Sequence, residues 1–193
     1  MDESPTLRGP RVTLRPARLE DAPALFELAR DPAVTKYLAW PSPTCVEETR
    51  EHLRLSAEQQ RAPGSDIIHF CIARTGDDTP LGKTSLMHIH LAHRRAAVGS
   101  WIGRPFWGQG FMRETKALTL AYAFDALGLE RVEAWVDIDN QRSLSSLERC
   151  GFRREGIARR HKRRGEAFVS QVLMAILRGE HVPLVRAVLN GQP

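Results

Sequence analysis

The sequence predicts a mixed α/β domain built around a largely antiparallel sheet. Two observations carry this. Short runs that alternate in the strand manner, such as Arg11–Pro16 and Arg131–Asp137, are separated by longer runs with helical spacing. Between the strand-like Ala97–Gly103 and the helix-like Lys116–Leu127 lies Arg104–Thr115, a turn carrying Gly108 and Gly110. Glycines there let the backbone approach a diphosphate, and the free N–H groups and dipole of the following helix favour an anion. An ordinary strand-to-helix turn has the same spacing.

The elements follow in order. Arg11–Pro16 is a strand stopped by proline, and Leu19–Arg30 places Leu25, Leu28 and Ala29 on one helical face. Asp31-Pro32 breaks that helix, and Val34–Leu38 is expected as a connector. Thr44-Cys45-Val46-Glu47 has capping-box spacing, so a second helix is expected to reach about Arg61, before Ala62-Pro63-Gly64. Connector and helix would form a lid over a substrate cleft. Ile67–Ala73, Leu81–Ile89 and Ala97–Gly103 read as an antiparallel meander with turns at Thr75–Asp78 and Leu91–Arg95. Gly128 ends the next helix, and Arg131–Asp137 is a strand. A short helix Leu144–Cys150 then stops at Gly151. Strands around Phe152–Ala158 and Ala167–Leu177 close the pattern, with the basic run Arg159–Arg164 expected as their hairpin link. No repeat or domain break is visible, so residues 1–193 are expected as one domain. A possible extension from about Glu180 either packs on the body or pairs with a second subunit in a homodimer.

Composition narrows the class. A chain of 193 residues with 42% apolar and 26% charged residues suits one globular domain. The apolar stretch Ala167–Leu177 is broken by Ser170 and Gln171, far short of the roughly 20 residues of a membrane span. Met-Asp-Glu-Ser-Pro shows no leader pattern, and Cys45, Cys71 and Cys150 lack metal-site spacing, so a cytoplasmic protein with reduced thiols and no metal is expected. The net charge of +5 suits an anionic cofactor or partner.

The ordered set Leu14-Arg15-Pro16 with Glu20-Asp21, Val98–Ile102, Trp107-Gly108-Gln109-Gly110, and Asn140-x-x-Ser143 before Cys150-Gly151-Phe152 resembles the GNAT superfamily of acyl-CoA N-acyltransferases. Within it, the set is similar to the branch that acetylates ribosomal-protein N-termini. The likeness covers about Arg11 to Leu177. It implies a splayed sheet flanked by about four helices, with acetyl-CoA as acetyl donor in the notch between the diverging strands. On matching positions, the backbone of Trp101, Ile102 and Gly103 would pair with the pantetheine arm. Trp107, Gly108, Gln109, Gly110, Phe111 and Met112 would hold the diphosphate, and Asn140 the arm's other side. The pattern departs from the family at Pro105 in the loop, at Leu147 where many members have tyrosine, and at Ala97 where relatives often carry a carboxylate.

Acetyl transfer to an amine needs a neutral nucleophile, donors for the oxyanion and a proton for the thiolate. Ser143 is the candidate acid, or else an N-cap. His88 and His90, two apart on the strand before the cleft and so expected on one face, are candidate bases or else a surface pair, and Asp137 and Glu133 are weaker candidates. Tyr37, Trp40, Trp101 and Trp107 either line the acceptor cleft or simply pack. Arg159–Arg164 either steers an acidic partner, such as incidental ribosome contact, or is a solvated hairpin tip. The expected reaction is direct acetylation of a primary amine, foremost a protein N-terminal α-amine. The alternatives are a small amine, such as an aminoglycoside or polyamine, and a non-catalytic acetyl-CoA sensor.

Overall fold

The computed structural model describes residues 4–189. Eight strands pair into one sheet among them. From one edge run β1 (Leu7–Arg8), β2 (Val12–Arg15), β3 (Ile68–Arg74), β4 (Pro80–His90) and β5 (Arg95–Ile102), each antiparallel to the next. Beyond β5 stand β6 (Arg131–Asp137), β8 (Ala167–Leu177) and, at the far edge, β7 (Arg153–Arg164). The described helices are α1 (Ala22–Ala29), α2 (Pro32–Thr35), α3 (Val46–Arg61), α4 (Phe111–Ala121), α5 (Gln141–Arg149) and α6 (Val182–Leu189), six where the resemblance implied about four.

Only β5 and β6 run parallel, and their pairing covers just Arg95 with Arg131, Ala96 with Val132 and Ala97 with Glu133. Past that point β5 stays on β4 as far as Ile102 opposite Gly82, and β6 stays on β8 as far as Asp137 opposite Gln171. The sheet therefore opens into a notch between the carboxyl ends of β5 and β6. Gly82 permits this course: a Cβ there would stand 2.2 Å from the Trp101 carbonyl oxygen.

The faces differ. On the α4 side Leu86, Val98, Leu120, Phe124, Val132, Leu144, Met174 and Ile176 form a continuous apolar core, and Leu184 of α6 is buried against it. The tail as far as α6 thus packs on the body, and residues 190–193 lie outside the described residues. On the α1/α3 side Leu25 and Leu53 pack near Trp101, over strand positions that include Arg15, His69 and Lys83. Arg15 is held there by both oxygens of Asp21, at 2.8 Å each, and by Asp78 at 2.7 Å. Charge-assisted pairs of this kind fix how β2 leaves toward α1.

Several boundaries differ from expectation, each for a local reason. Asp31 does not merely break a helix; its side chain accepts from Ala33 N–H at 2.9 Å and starts α2 with Pro32 in its first turn. Thr44 pairs with Glu48, not Glu47, through its N–H at 2.9 Å and its hydroxyl at 2.6 Å. Helix α4 begins five residues before Lys116, because Gly110, left-handed at φ 83°, turns the chain straight into it. It ends through a π-helical turn, Tyr122–Ala126. The basic run is no hairpin tip: Arg159–Arg164 continues β7 to a turn at Gly165-Glu166, bulged at Arg160 with φ 53°. Charge and a bulge on an edge strand discourage pairing with another chain.

Helix α5 is capped by Asn140, whose side chain accepts from Ser143 N–H at 3.2 Å. Asn140→Ala is therefore expected to lower stability by about 1 kcal/mol, read as a lower urea midpoint. Ser143→Ala leaves that bond intact and should not.

Lys116 on α4 is 5% exposed and has one partner, the Ser100 hydroxyl at 2.6 Å. Burial lowers its amine from 10.5 to about 8. A lysine whose folded pKa is depressed costs stability in full below pH 8, and the cost fades as pH rises toward 10.5. Lys116→Met should thus stabilise by on the order of 1–3 kcal/mol at pH 7. The gain should shrink by about pH 10, as paired urea titrations would show.

Candidate active site

The notch supplies unpaired backbone on one wall and a cradle of N–H groups at its mouth. Gly103 N–H donates to the Leu81 carbonyl at 2.9 Å, so odd-numbered residues of β5 face β4. Trp101 and Gly103 therefore turn their backbone away from the notch, while Ser100 and Ile102 face it. The Ile102 carbonyl is taken by the Trp107 indole N–H at 2.8 Å, which folds the loop back over the end of β5. That leaves the Ile102 N–H and both backbone groups of Ser100 to meet an amide-bearing chain.

The glycine loop follows directly. Gly108 and Gly110 take φ of 74° and 83°, and a Cβ at Gly108 would meet nothing within 4 Å, so backbone angle rather than crowding demands glycine. Among the described residues, the N–H groups of Gly108, Gln109, Gly110, Phe111, Met112 and Arg113 donate to no protein acceptor. The loop is fixed from behind. Arg11 donates to the Gln109 carbonyl at 2.9 Å and lies 4.3 Å over the Phe111 ring, and Glu114 accepts the Arg11 and Val12 N–H groups at 2.7 and 2.8 Å. A run of free donors at a helix start binds an anion such as a diphosphate.

The opposite wall is β6 and the start of α5. Arg142 lies 3.2 Å over the Trp107 ring and joins α5 to the glycine loop across the mouth. Ser143 is half-buried one residue on, and its hydroxyl has no partner among the described residues. Asn140 spends its side-chain oxygen on the helix cap; its amide nitrogen remains free. Tyr37 reaches the Asp139 carbonyl at 3.3 Å. Asp137 is paired with Arg164 at 2.9 Å, and Glu133 with Arg131 at 3.2 Å and Arg95 at 3.4 Å. Both carboxylates are thus engaged by arginines.

Behind Trp101, on the α1/α3 face, lies a cleft of about 190 Å³. Trp40 meets Trp101 edge-on at 5.8 Å, with Leu25, Pro41 and Pro43 around them, so two of the four aromatics share this lining. His52, Thr49 and Lys83 supply its polar atoms, and Glu48 its one carboxylate. Burial lowers the His52 imidazole to about 4, helped by the Lys83 charge. It is neutral at about pH 7. Lys83 itself is lowered to about 8 by burial.

His88 and His90 stand elsewhere. Lys83 pairs with Trp101 beside the notch, and His88 is five residues further along β4, roughly 16 Å at the rise of a strand. His88 takes φ 52° in a bulge, which breaks the alternation that would set both rings on one face. Its ring approaches Asp66 at 3.6 Å, and His90 stacks on His93 at 4.2 Å. The sequence reading missed Lys83, Thr49 and His52. A lysine inside the otherwise uncharged run Leu81–Leu86 was the available signal. Among the described residues no cluster could hold a metal, and no helix is long and apolar enough to cross a membrane.

Residues 11–153 match the family model described as Acetyltransferase (GNAT) domain. "Uncharacterized N-acetyltransferase p20" of Bacillus licheniformis is 29% identical over 176 residues, 91% of this chain and 98% of the relative. Two more distant relatives bear acceptor names: "Putative ribosomal N-acetyltransferase YdaF" of Bacillus subtilis, 29% identical over 77% of this chain and 81% of its own, and "Spermidine N(1)-acetyltransferase" of Escherichia coli, 26% identical over 75% and 74%. Among solved structures, a "putative acetyltransferase" from T. thermophilus superposes with a TM-score of 0.82 at 32% identity, covering 100% of this chain and 99% of that one. With a notch, a donor-rich glycine loop and a family match over most of its length, the chain belongs to the GNAT acetyltransferases and is an N-acetyltransferase.

Proposed function

We propose that this chain acetylates the α-amine of a protein N-terminus, with acetyl-CoA as donor. The observation that carries the donor is the run of six free N–H groups at Gly108–Arg113, set where the sheet opens. Bound there, acetyl-CoA supplies an activated acetyl thioester. Ser100 and Ile102 offer backbone partners to its amide-bearing arm, the glycine loop takes the diphosphate, and the Asn140 amide flanks the arm.

The cleft behind Trp101 supports the acceptor. It opens beside β5, so an amine entering it comes alongside the notch. A polyamine site needs several carboxylates, and here Glu47 and Glu51 face Arg50 and Arg54 on the outside of α3. Glu48, on the cleft, gives both oxygens to Thr44. The buried Lys83 opposes a second ammonium. A chain end with a single amine, laid against Trp40 and Trp101, meets neither obstacle. Ser143 Oγ has no partner among the described residues, and in this reading it would deliver its proton to the departing thiolate. Asp137 and Glu133 are both engaged by arginines and are not free to act as base. The amine therefore arrives neutral or loses its proton through water.

Three measurements test this. Gly110→Asp sets a carboxylate and a strained φ in the loop, and calorimetry should show roughly a tenfold or greater loss of acetyl-CoA affinity. Thiol release should be faster with peptides bearing free N-termini than with spermidine or aminoglycosides; the reverse order would displace the N-terminal reading. Ser143→Ala should lower kcat by roughly 10²-fold with little change in acetyl-CoA affinity or melting temperature.

A further inference from the structure

The polar wall of the cleft is under-bonded in one particular way. Lys83 is 6% exposed, and its amine has only the Ser56 hydroxyl, at 3.5 Å, within reach. No carboxylate pairs with it among the described residues. Thr49 Oγ1 lines the same cleft and is buried with no hydrogen-bond partner. His69, whose Nδ1 meets the Ser85 hydroxyl at 2.8 Å and whose Nε2 is buried and unpartnered, lines the neighbouring pocket rather than this cleft. Unpaired buried polar groups are costly and a buried charge more so, so Lys83 and Thr49 on one lining point to a missing polar occupant. The groups present fix its sign. An ammonium and a hydroxyl can donate, as can one nitrogen of the neutral His52 imidazole, and the one carboxylate on the cleft is already engaged by Thr44.

We propose that the cleft takes an acceptor whose amine is accompanied by a carboxylate a few bonds away, seated on Lys83 Nζ and Thr49 Oγ1. This rests on the amine-acetylation reading and narrows it. Lys83 pairs with Trp101 in register, so both side chains leave the same face of neighbouring strands, with Lys83 the farther from the notch. A carboxylate on Lys83 therefore leaves the amine on the Trp101 side, beside the notch. The apolar remainder of the acceptor lies against the edge-on pair of Trp40 and Trp101. The shared chemistry has two sources: an acidic side chain at a peptide N-terminus, or the carboxylate of a free amino acid.

The test compares isosteric pairs. Thiol release is measured with peptides beginning Asp or Glu against Asn or Gln, and with free glutamate against its diamide. In parallel, calorimetry measures binding of the N-acetylated products, which needs no turnover. The carboxylate member of each pair is expected to win by about tenfold or more in kcat/KM and in affinity, the scale of a charge-assisted bond. Lys83→Met, which keeps length and removes charge, should bring the ratio close to one, and Lys83→Arg should retain part of it. Preference in the peptide pair alone assigns the N-terminal side chain; preference in the free pair alone assigns the amino acid. Equal carboxylate and amide partners, or a preference that survives Lys83→Met, overturn the proposal. If no amine releases thiol, the transfer reading fails separately, and Lys83-dependent product binding still decides the carboxylate.

Discussion

Everything at the site depends on two parallel strands that stop pairing after three residues. β5 and β6 meet at Arg95–Ala97 and Arg131–Glu133, then each follows its antiparallel neighbour away from the other. An opened sheet would normally leave costly unpaired backbone. Here Trp107 takes the Ile102 carbonyl, and contacts from distant parts of the chain frame the opening: Arg142 on Trp107, Tyr37 on Asp139 and Arg164 on Asp137. The remaining free groups are a sheet edge and the start of α4, and together they suit a ligand with amides at one end and phosphates at the other.

The two faces of β4 and β5 treat buried charge alike and for different ends. Thr84 and Ser100 share a hydrogen bond of 2.6 Å on the α4 side, where Lys116 ends on Ser100. Lys83 and Trp101 point to the α1/α3 side, where the cleft opens. Neither lysine has a counter-ion among the described residues, and burial lowers both amines to about 8. Lys116 is enclosed by core and acts only on stability. Lys83 lines a cavity with unpartnered neighbours, so its cost becomes binding energy once an anion arrives.

Much of this was legible in the sequence. Alternation located β2, β3, β4, β6 and β8 to within a residue or two, because strand periodicity and turn glycines are local signals. The glycine loop was visible as well: Gly108 and Gly110 have left-handed φ, and their residue type reports that requirement directly. Helix starts were less legible. Residues 111–115 carry few apolar positions with helical spacing, and α4 begins there on the strength of the left-handed Gly110 and the hold of Glu114 on β2.

Periodicity and backbone conformation within short stretches set the mixed fold, the order of its elements and the phosphate-type loop. Which polar groups share a site follows from long-range packing. Lys83, Thr49 and Trp40 are far apart in the chain and meet because α3 and the segment before it close over β4 and β5. His88 and His90, adjacent to the cleft in sequence terms, are carried to the other end of the sheet by strand length and a bulge. Register and packing are non-local, and no spacing rule within one segment encodes them.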